Sequence, residues 1–509
     1  MEIQFLLSII LSSSVLLFLL KKTLTRNYGR KTDAGLPPSP PSPPALPLIG
    51  NLHQLGRRPH RSFQSLARKH GPIMLLQLGR VPTLVISSAE MAREVTKTHD
   101  VVFAGRPRPI AVDIFLNGHN DFAFSSYGDY WRRARKLCVI ELLSQIRVQS
   151  FQPVRREETA ALVEKLRLAS GQAVDVSALI LGVVNNIVAR CVLGRRCEGR
   201  GGGKLGFGEV AKKVSSEFAE FSVGDWFPWL RWVDKATGLI GRMKGTFRAM
   251  DEYFDEVIKE HEAKAATTVG GDGEKREDFV DILLRLQREG GHDLDLSWGN
   301  IKAILVDMMI GGTDTTSTTI EWIMTHLARH PSKLQKAQEE IRRVVGQKLV
   351  IEHEDLAEMH YLKLVIKETL RLHPPIVLLL PRETLDNVEV AGFGIAVRTR
   401  VLVNTWAIQR DPTVWENPDE FIPERFENSP VDWKGRDFQY IPFGAGRRGC
   451  PGMSFGTVTL EFVTANLLYW LDWELPEGLR CENLDMEEVY GLTTHKEKPL
   501  FLIPIPHSF

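Results

Sequence analysis

Apolar and polar residues recur with helical spacing through the middle of the chain, from about residue 131 to residue 373. In TAALVEKLRLA, MDEYFDEVIKEHEAKAA and LQKAQEEIRRVV, apolar residues stand three and four positions apart with charges between them, which is typical of helices with one buried face. Two apolar runs on either side of a Gly-Arg pair, within residues 72–87, predict two strands and a turn. Strand-like sequence returns at VEVAGFGIAVRTRVLVNT and PLFLIPIP. The pattern predicts a mainly α body with small β-sheets at its ends, not an alternating βαβ series.

The first apolar run, IQFLLSIILSSSVLLFLL at residues 3–20, carries no charge and is long enough to cross a bilayer as a helix. Five basic residues follow it by position 31, whereas Glu2 is the charged residue before it. Because positive flanks stay on the cytoplasmic side, we predict a transmembrane anchor with the remaining chain in the cytosol. A cleaved secretory signal is the alternative, but it would normally carry its basic residues before the apolar run.

A proline-rich stretch, LPPSPPSPPALPLIGN, follows the anchor. Its prolines cannot continue a helix and favour stiff polyproline geometry, so it reads as a semi-rigid spacer that orients the body. A ligand for a proline-recognition domain is the alternative. We therefore divide the chain into an anchor at residues 3–20, a basic and proline-rich hinge at 21–50 and a globular domain at 51–509.

The overall composition is that of an ordinary globular chain of 509 residues, with 64 Lys and Arg against 63 Asp and Glu. This near balance gives no electrostatic argument for a nucleic-acid partner. Five cysteines are too few and too scattered for a disulfide framework in a chain of this size, which favours a reducing compartment such as the cytosol.

One of those cysteines, Cys450, stands in the loop PFGAGRRGCPG at residues 442–452. It has no Cys or His neighbours at zinc-site spacing. A nucleophile would need a base, and the nearest histidine before it in sequence is the distant His373. An iron ligand suits the loop better, because glycine N–H groups can bond the sulfur and arginines can neutralise acidic groups on a cofactor.

This loop resembles the haem-binding loop of the cytochrome P450 superfamily, through the pattern Phe443-x-x-Gly446-x-Arg448-x-Cys450-x-Gly452. The resemblance implies the mainly α cytochrome P450 fold and haem b, iron protoporphyrin IX, as the cofactor. It makes the Cys450 thiolate the proximal ligand of the haem iron, with Phe443 and Arg448 as cofactor-binding residues.

A second stretch, GGTDTT at residues 311–316, lies inside a long apolar helical segment. Adjacent glycines weaken a helix interior and the following hydroxyls can bond back to it, so we expect a local distortion. Tight packing against a neighbouring helix would explain the glycine pair alone. The resemblance gives Asp314 and Thr315 a catalytic role instead, as the acid–alcohol pair that relays protons to dioxygen.

Further positions match the family in the same order along the chain. Glu368 and Arg371 in ETLRLHPP share a helix face; alone they would be a solvated surface pair, but the resemblance joins them to Arg425 as a structural lock. Trp131 and Arg135, four residues apart, also share a helix face, which by itself indicates only an amphipathic helix.

The resemblance makes Trp131, Arg135 and Arg382, together with Arg448, the donors that hold the haem propionates, a task for which guanidinium groups are well suited. It covers essentially the whole chain and is closest to the plant microsomal A-type group, particularly family seventy-one. Ile310 replaces an alanine found in many relatives, and we expect this to alter only the pocket shape.

The implied reaction inserts one oxygen atom of O₂ into a hydrophobic small molecule, as a hydroxylation or an epoxidation. Electrons come from NADPH through NADPH–cytochrome P450 reductase. The implied location is the endoplasmic reticulum membrane, with a single span and a cytosolic haem-thiolate catalytic domain at residues 51–509. A haem-thiolate dehydratase or isomerase is a second hypothesis, and a non-enzymatic haem-binding scaffold is a third.

The predicted pocket walls are apolar, which favours a hydrophobic substrate that partitions from the membrane. They comprise residues 110–124, the region 207–227, the helix before Gly311, residues 374–380 and residues 491–494, with aromatic side chains at Phe115, Phe122, Phe124, Phe221 and Trp226. Ordinary core packing is the alternative explanation for many of them. We expect a terpenoid or terpenoid-derived alkaloid, and a phenylpropanoid or an amino-acid-derived oxime is the alternative.

Overall fold

The computed structural model describes residues 36–116, 118, 121–196, 207–267, 277–290 and 296–508. The predicted membrane segment at 3–20, the basic stretch that follows it and Cys197 lie outside these residues. The described part of the predicted hinge lies against the body: the Leu75 N–H donates to the Pro41 carbonyl (2.9 Å) and the Gly394 N–H to the Pro38 carbonyl (2.9 Å).

Eighteen α-helices lie within the described residues. They are α1 (Pro59–His70), α2 (Ala89–Arg93), α3 (Ile110–Phe115), α4 (Asp129–Leu137), α5 (Gln145–Ser150), α6 (Gln152–Leu168), α7 (Val176–Leu193), α8 (Phe207–Phe218), α9 (Val223–Trp226), α10 (Arg231–Ala236), α11 (Leu239–Thr267), α12 (Phe279–Glu289), α13 (Trp298–Arg329), α14 (Pro331–Val345), α15 (His353–Glu358), α16 (His360–Leu372), α17 (Thr405–Ile408) and α18 (Met453–Trp470). The three helical stretches quoted from the sequence coincide with α6, α11 and α14, except that Ala169 lies one residue beyond the end of α6, which confirms those predictions.

Eleven strands accompany the helices in the same part of the chain. They are β1 (Ile73–Leu78), β2 (Val81–Ile86), β3 (Val174–Asp175), β4 (Arg382–Glu383), β5 (Val388–Val390), β6 (Phe393–Ile395), β7 (Arg400–Val403), β8 (Leu471–Glu474), β9 (Glu488–Val489), β10 (His495–Lys496) and β11 (Phe501–Pro506). They form sheets in the orders β1-β2-β7-β4, β3-β11-β8, β5-β6 and β9-β10. The predicted hairpin is β1–β2, antiparallel with Ile73 opposite Ile86 and Leu78 opposite Val81. The fold is the predicted mainly α body with small sheets.

The long helix α13 crosses the core and contacts α7, α14, α16 and α18. A capping box fixes its start: the Ser297 hydroxyl accepts the Asn300 N–H (3.2 Å), and the Asn300 side-chain oxygen accepts the Ser297 N–H (3.0 Å). Pro331 follows its end, where the residue before proline leaves the helical region. The helix continues without a break through Gly311 and Gly312, so the expected distortion does not interrupt it.

One helix among the described residues, α7, is apolar and long enough to cross a membrane by length and composition. However, 56% of that stretch is buried within the protein, where it packs along α13. We therefore assign α7 to the core of the domain.

A buried ion cluster fastens α16 to the chain that leads towards the Cys450 loop. Glu368 and Arg371 are both 0% exposed, with Arg371 Nε 2.7 Å and Nη2 2.9 Å from the two Glu368 oxygens. Arg425 Nε donates to the same carboxylate at 3.0 Å. A solvated surface pair is therefore the wrong description of Glu368 and Arg371, because the tertiary fold covers the helix face on which they lie.

Replacing Glu368 by Ala should strongly destabilise the domain, because it leaves the Arg371 guanidinium buried without its carboxylate. We expect a loss of about 3–5 kcal/mol in the free energy of unfolding, measured by denaturant titration of the full chain in detergent. Lys434→Ala is the control, since Lys434 pairs with Asp432 at the surface with its side chain 70% exposed. The control should change stability by about 0.5 kcal/mol or less; equal effects of the two substitutions would contradict the assignment.

Candidate functional site

A large cavity lies between α13 and the loop that carries Cys450. Its empty volume is about 1490 Å³, including space open to solvent. The lining comprises residues 442–444 and 448–452 from the loop, seven residues of α13 (Asp307, Met308, Gly311, Gly312, Thr315, Thr316 and Thr319), and apolar side chains that include Val188, Val192, Phe279, Ile376, Leu379 and Leu380.

The Cys450 loop folds into a tight turn ahead of α18. The Cys450 N–H donates to the Phe443 carbonyl at 2.8 Å, which closes the loop, and residues Gly446–Arg448 form one 3-10 turn inside it. Gly446 has φ +70°, and a Cβ placed there would lie 2.0 Å from the Thr96 carbonyl oxygen. Only glycine fits this position, because a side chain would meet backbone that cannot move aside.

The Cys450 thiol is free and accessible at the cavity wall. Burial within the surrounding protein raises its pKa, whereas the Gly452 N–H, which bonds the sulfur, and the Arg135 charge both lower it. These two groups favour the thiolate, the form that binds a metal. The loop therefore presents a metal-ligand atom to the cavity with its supporting donors in place.

Three of the predicted arginines are held beside Cys450 by bonds to backbone carbonyls. Arg135 Nη2 donates to the Gly449 carbonyl (2.6 Å) and Arg382 Nη2 to the Ala445 carbonyl (3.0 Å). Arg448 donates to the Ala104 carbonyl through Nε (2.9 Å) and Nη2 (2.7 Å). All three also line the cavity, so the structure brings together residues that lie more than 300 positions apart in sequence.

A fourth arginine, Arg106, belongs to this cluster and was missed from the sequence. It lines the cavity, is 5% exposed, and donates from Nε to the Ala123 carbonyl (2.9 Å) and from Nη1 to the Leu380 and Pro381 carbonyls (2.7 Å each). The available signal was an arginine set among prolines and apolar residues in FAGRPRPI, which does not reveal its distant partners.

The arginine cluster has more positive charge than its surroundings compensate. Burial lowers the pKa of Arg382 to about 10 and of Arg448 to about 9, although Asp100 opposes both shifts. Burial, followed by the charges of Arg448 and Arg382, lowers the pKa of Arg106 well below its ordinary value. A bound dianion would relieve this repulsion, since buried charges need partners.

Trp131 supports this cluster without itself appearing among the cavity-lining residues. Its indole N–H donates to the Phe122 carbonyl at 2.9 Å. The guanidinium of Arg448 lies 4.3 Å and that of Arg135 lies 5.5 Å from its ring centroid, which is the range of cation–π contact. The ring thus orients two arginines towards the cavity.

The face of α13 in the cavity follows the helical repeat, with Asp307, Gly311 and Thr315 each four residues apart. The Thr315 hydroxyl donates to the Gly311 carbonyl at 2.6 Å. Asp314 lies to the side of this face, where its carboxyl accepts a hydrogen bond from Ser215 in α8. Burial raises the Asp314 pKa, while Ser215 and the His495 charge oppose the rise. Of the predicted pair, Thr315 therefore lies in the cavity wall, whereas Asp314 contacts α8.

The predicted aromatic walls are only partly those of the cavity. Phe122 lines it, whereas Phe115 and Phe124 contact Phe218 in the core, with ring centroids 5.3 and 6.1 Å apart. Phe221 is 59% exposed and stacks on Trp226. Sequence proximity to a pocket segment does not determine which side chains face it.

A thiol at the wall of a large apolar cavity, beside buried arginines and within a mainly α fold, defines a haem-thiolate type of protein. A family model described as cytochrome P450 matches residues 40–503. The chain belongs to the cytochrome P450 family.

Similar proteins indicate that the chain is a plant cytochrome P450 of the family 71 type. Phenylacetaldehyde oxime monooxygenase of Prunus mume is 49% identical over 93% of this chain and 89% of its own length. Cytochrome P450 71A1 of Persea americana is 48% identical (90% and 91%), and strychnine-11-hydroxylase of Strychnos nux-vomica is 42% identical (96% and 94%). A zebrafish cytochrome P450 solved with abiraterone shares the fold, with a TM-score of 0.73 at 26% identity over 89% of this chain and all of that chain. The protein is a monooxygenase of plant specialised metabolism.

The cofactor of this family is haem, with electrons from NADPH through a separate reductase. The residues in the cavity fit haem in three respects: the accessible Cys450 thiol, the glycines beside it that leave room for a flat group, and four arginines that line the cavity, of which Arg382 pairs with Asp100 (3.5 Å), for two carboxylates. The fit rests on donor chemistry and charge that the structure shows independently of the family match.

Proposed function

We propose that this chain hydroxylates or epoxidises a hydrophobic plant metabolite in the described cavity, with Cys450 as the thiolate ligand of the haem iron. The observation that carries the proposal is that Cys450 and Thr315 line one largely apolar cavity, one from the loop and the other from α13. Haem held by the Cys450 thiolate would supply dioxygen activation strong enough to oxidise unactivated C–H bonds. The protein supplies the binding, the orientation and the proton delivery.

The residues around Cys450 would hold the cofactor in place. The Gly452 N–H and the Arg135 charge offset part of the rise that burial gives the Cys450 pKa, and Phe443 closes the loop through its carbonyl. Arg382 and Arg448, joined by Arg106, offer guanidinium donors to the two carboxylates, and Trp131 fixes the direction of Arg448. Each guanidinium is preorganised by backbone carbonyls, so little side-chain entropy is lost on binding.

Asp314 and Thr315 would deliver the protons that the reaction consumes. Burial raises the Asp314 pKa, which makes the carboxyl easier to protonate, as a group that passes on protons requires. Asp314 lies to the side of the cavity face of α13, near Ser215 and His495, whereas the Thr315 hydroxyl lies in the cavity wall. The two residues thus connect the contact between α13 and α8 with the cavity wall.

The domain would sit on the cytosolic face of the endoplasmic reticulum, held by the anchor at residues 3–20. An apolar patch supports contact with a membrane: Ile49 is 38%, Trp229 52% and Trp232 65% exposed. Ile49 and Trp229 both contact the Gly79–Arg80 turn, since the Gly79 N–H donates to the Ile49 carbonyl (3.1 Å) and Arg80 lies over the Trp229 ring (5.2 Å). Tryptophan is enriched at membrane interfaces.

The substrate we propose is a terpenoid or a terpenoid-derived alkaloid. The apolar lining supports a hydrophobic molecule, and the relative named strychnine-11-hydroxylase acts on an alkaloid. An aromatic oxime is the second candidate, favoured by the 49% identity to a phenylacetaldehyde oxime monooxygenase.

Isotope labelling tests the reaction and the substrate class together. Membranes carrying the full chain and a plant cytochrome P450 reductase are incubated with NADPH, ¹⁸O₂ and a panel of terpenoids, alkaloids and aromatic oximes. We expect one panel member to gain one heavy oxygen only when NADPH is present, as measured by mass spectrometry. A product that forms without label, or without NADPH, would contradict a monooxygenase reaction in this cavity.

The proton-delivery role has a separate test in Thr315→Val, compared with Thr325→Val. Both hydroxyls bond back one turn along α13, at 2.6 and 2.7 Å, but Thr325 is 0% exposed and lies outside the cavity lining. Loss of a proton donor should lower product formation about 100-fold in Thr315→Val while NADPH oxidation continues. Thr325→Val should retain wild-type product per NADPH; a parallel loss in both variants would indicate helix destabilisation instead.

A further inference from the structure

The backbone carbonyls of Phe122 and Ala123 accept hydrogen bonds from side chains in several parts of the site. The Phe122 carbonyl accepts the Trp131 indole N–H (2.9 Å), and the Ala123 carbonyl accepts Arg106 Nε (2.9 Å). Arg448 Nη1 reaches the Phe122 carbonyl at 3.5 Å. Both residues also line the cavity. One short segment is therefore the wall of the cavity and the support of the residues that face the cofactor carboxylates.

The N–H groups of the same two residues are fixed from the opposite direction. Asp307 in α13 accepts the Phe122 N–H at 3.1 Å and the Ala123 N–H at 3.2 Å, both through Oδ2. These are the side-chain bonds that connect the middle of α13 with this segment, which is otherwise separated from it by about 180 positions in the chain.

The Asp307 carboxyl lies in an environment that disfavours a charged group without hydrogen-bond donors. It lies in a run of apolar residues, ILVDMMI, and lines the cavity. Burial raises its pKa well above the ordinary value, and the Asp121 charge adds to the rise, while the two backbone N–H groups oppose it. The Phe122 and Ala123 N–H groups offset the cost of burying Asp307 only while both residues stay beside its carboxyl.

We propose that Asp307 is a positioning residue that sets substrate selectivity by holding the 122–123 segment against α13. The segment then presents Phe122 to the substrate at a fixed distance from Cys450 and keeps its carbonyls aligned for Trp131 and Arg106. The selectivity part rests on the proposed function, because it requires the cavity to hold the substrate. Asp307 itself transfers no proton to the reacting atoms, a role left to Asp314 and Thr315.

The hydrogen bonds themselves can be tested without turnover. Hydrogen–deuterium exchange is measured on the full-length holoenzyme in detergent and resolved to the amides of Phe122 and Ala123. Asp307→Ala should accelerate exchange at these amides about fivefold or more, because each loses its acceptor. Asp307→Asn keeps an oxygen acceptor and should retain most of the protection. Met308→Ala, which removes a neighbouring cavity side chain without touching the bonds, should leave exchange unchanged.

The selectivity role is tested separately by the binding of two haem ligands of different length. Dissociation constants of imidazole and 4-phenylimidazole are measured from the shift of the haem absorption band. Asp307→Ala should weaken 4-phenylimidazole severalfold relative to imidazole, since only the larger probe extends from the iron towards the wall, and Asp307→Asn should restore the wild-type ratio.

Unchanged exchange at Phe122 and Ala123 in Asp307→Ala would overturn the proposal. If Asp307→Ala does not fold, the decision falls to Asp307→Asn: a folded Asn variant that loses both amide protection and probe selectivity would equally overturn it, because its acceptor is intact. Neither readout depends on an identified substrate, so a failure of the labelling experiment would leave these results interpretable.

Discussion

The buried carboxylate of Glu368 is the interaction on which the position of the Cys450 loop depends. Arg371 holds it through two bonds and at the same time donates to the carbonyls of Gln409 (2.9 Å) and Pro418 (2.7 Å). The Gln409 side chain in turn accepts the Ile441 N–H (3.0 Å), one residue before the loop begins. A continuous series of buried polar contacts therefore runs from α16 to the loop. Such a series is favourable only when every member is satisfied, so it fixes the loop in one arrangement.

The arginines that line the cavity are the second feature on which the site depends. Four arginines line the cavity, of which Arg106 and Arg382 are buried and Arg135 and Arg448 half-buried. Desolvation depresses the pKa of Arg106, Arg382 and Arg448. Their bonds to backbone carbonyls orient them but supply no negative charge. The free protein thus retains unfavourable electrostatics that a dicarboxylate cofactor would neutralise, which links folding of the site to cofactor binding. Hydrophobic packing of α7, α16 and α18 around α13 supplies the rigid frame on which this charge is held.

Local sequence patterns were sufficient for the elements and for the loop. The helical repeat predicted α6, α11 and α14, apolar runs on either side of Gly-Arg predicted β1 and β2, and the spacing of glycines and arginines pointed to Cys450. Contacts between distant segments were not accessible in this way. The i,i+3 spacing of Glu368 and Arg371 suggests a surface pair, because burial of that face is decided by chain some 40–55 residues further on.

The same limit applies inside the cavity. Arg106 and Asp307 act through the 122–123 segment, and no periodicity links the three regions. Helical geometry did contain a usable signal, since Asp307, Gly311 and Thr315 are spaced four apart and share a face, whereas Asp314 does not fall on it. The resemblance to the family led to Asp314 by motif and gave no direction for its side chain.

We propose that Cys450 is the thiolate ligand of haem iron in this cavity, and the absorption spectrum of the reduced carbon monoxide complex is the decisive measurement. The full chain is compared with Cys450→His after haem loading of each is quantified. We expect the wild type to show the thiolate-type absorption band and the histidine variant to retain some haem but to lose this band completely. Persistence of the thiolate-type band in Cys450→His would show that another residue binds the iron.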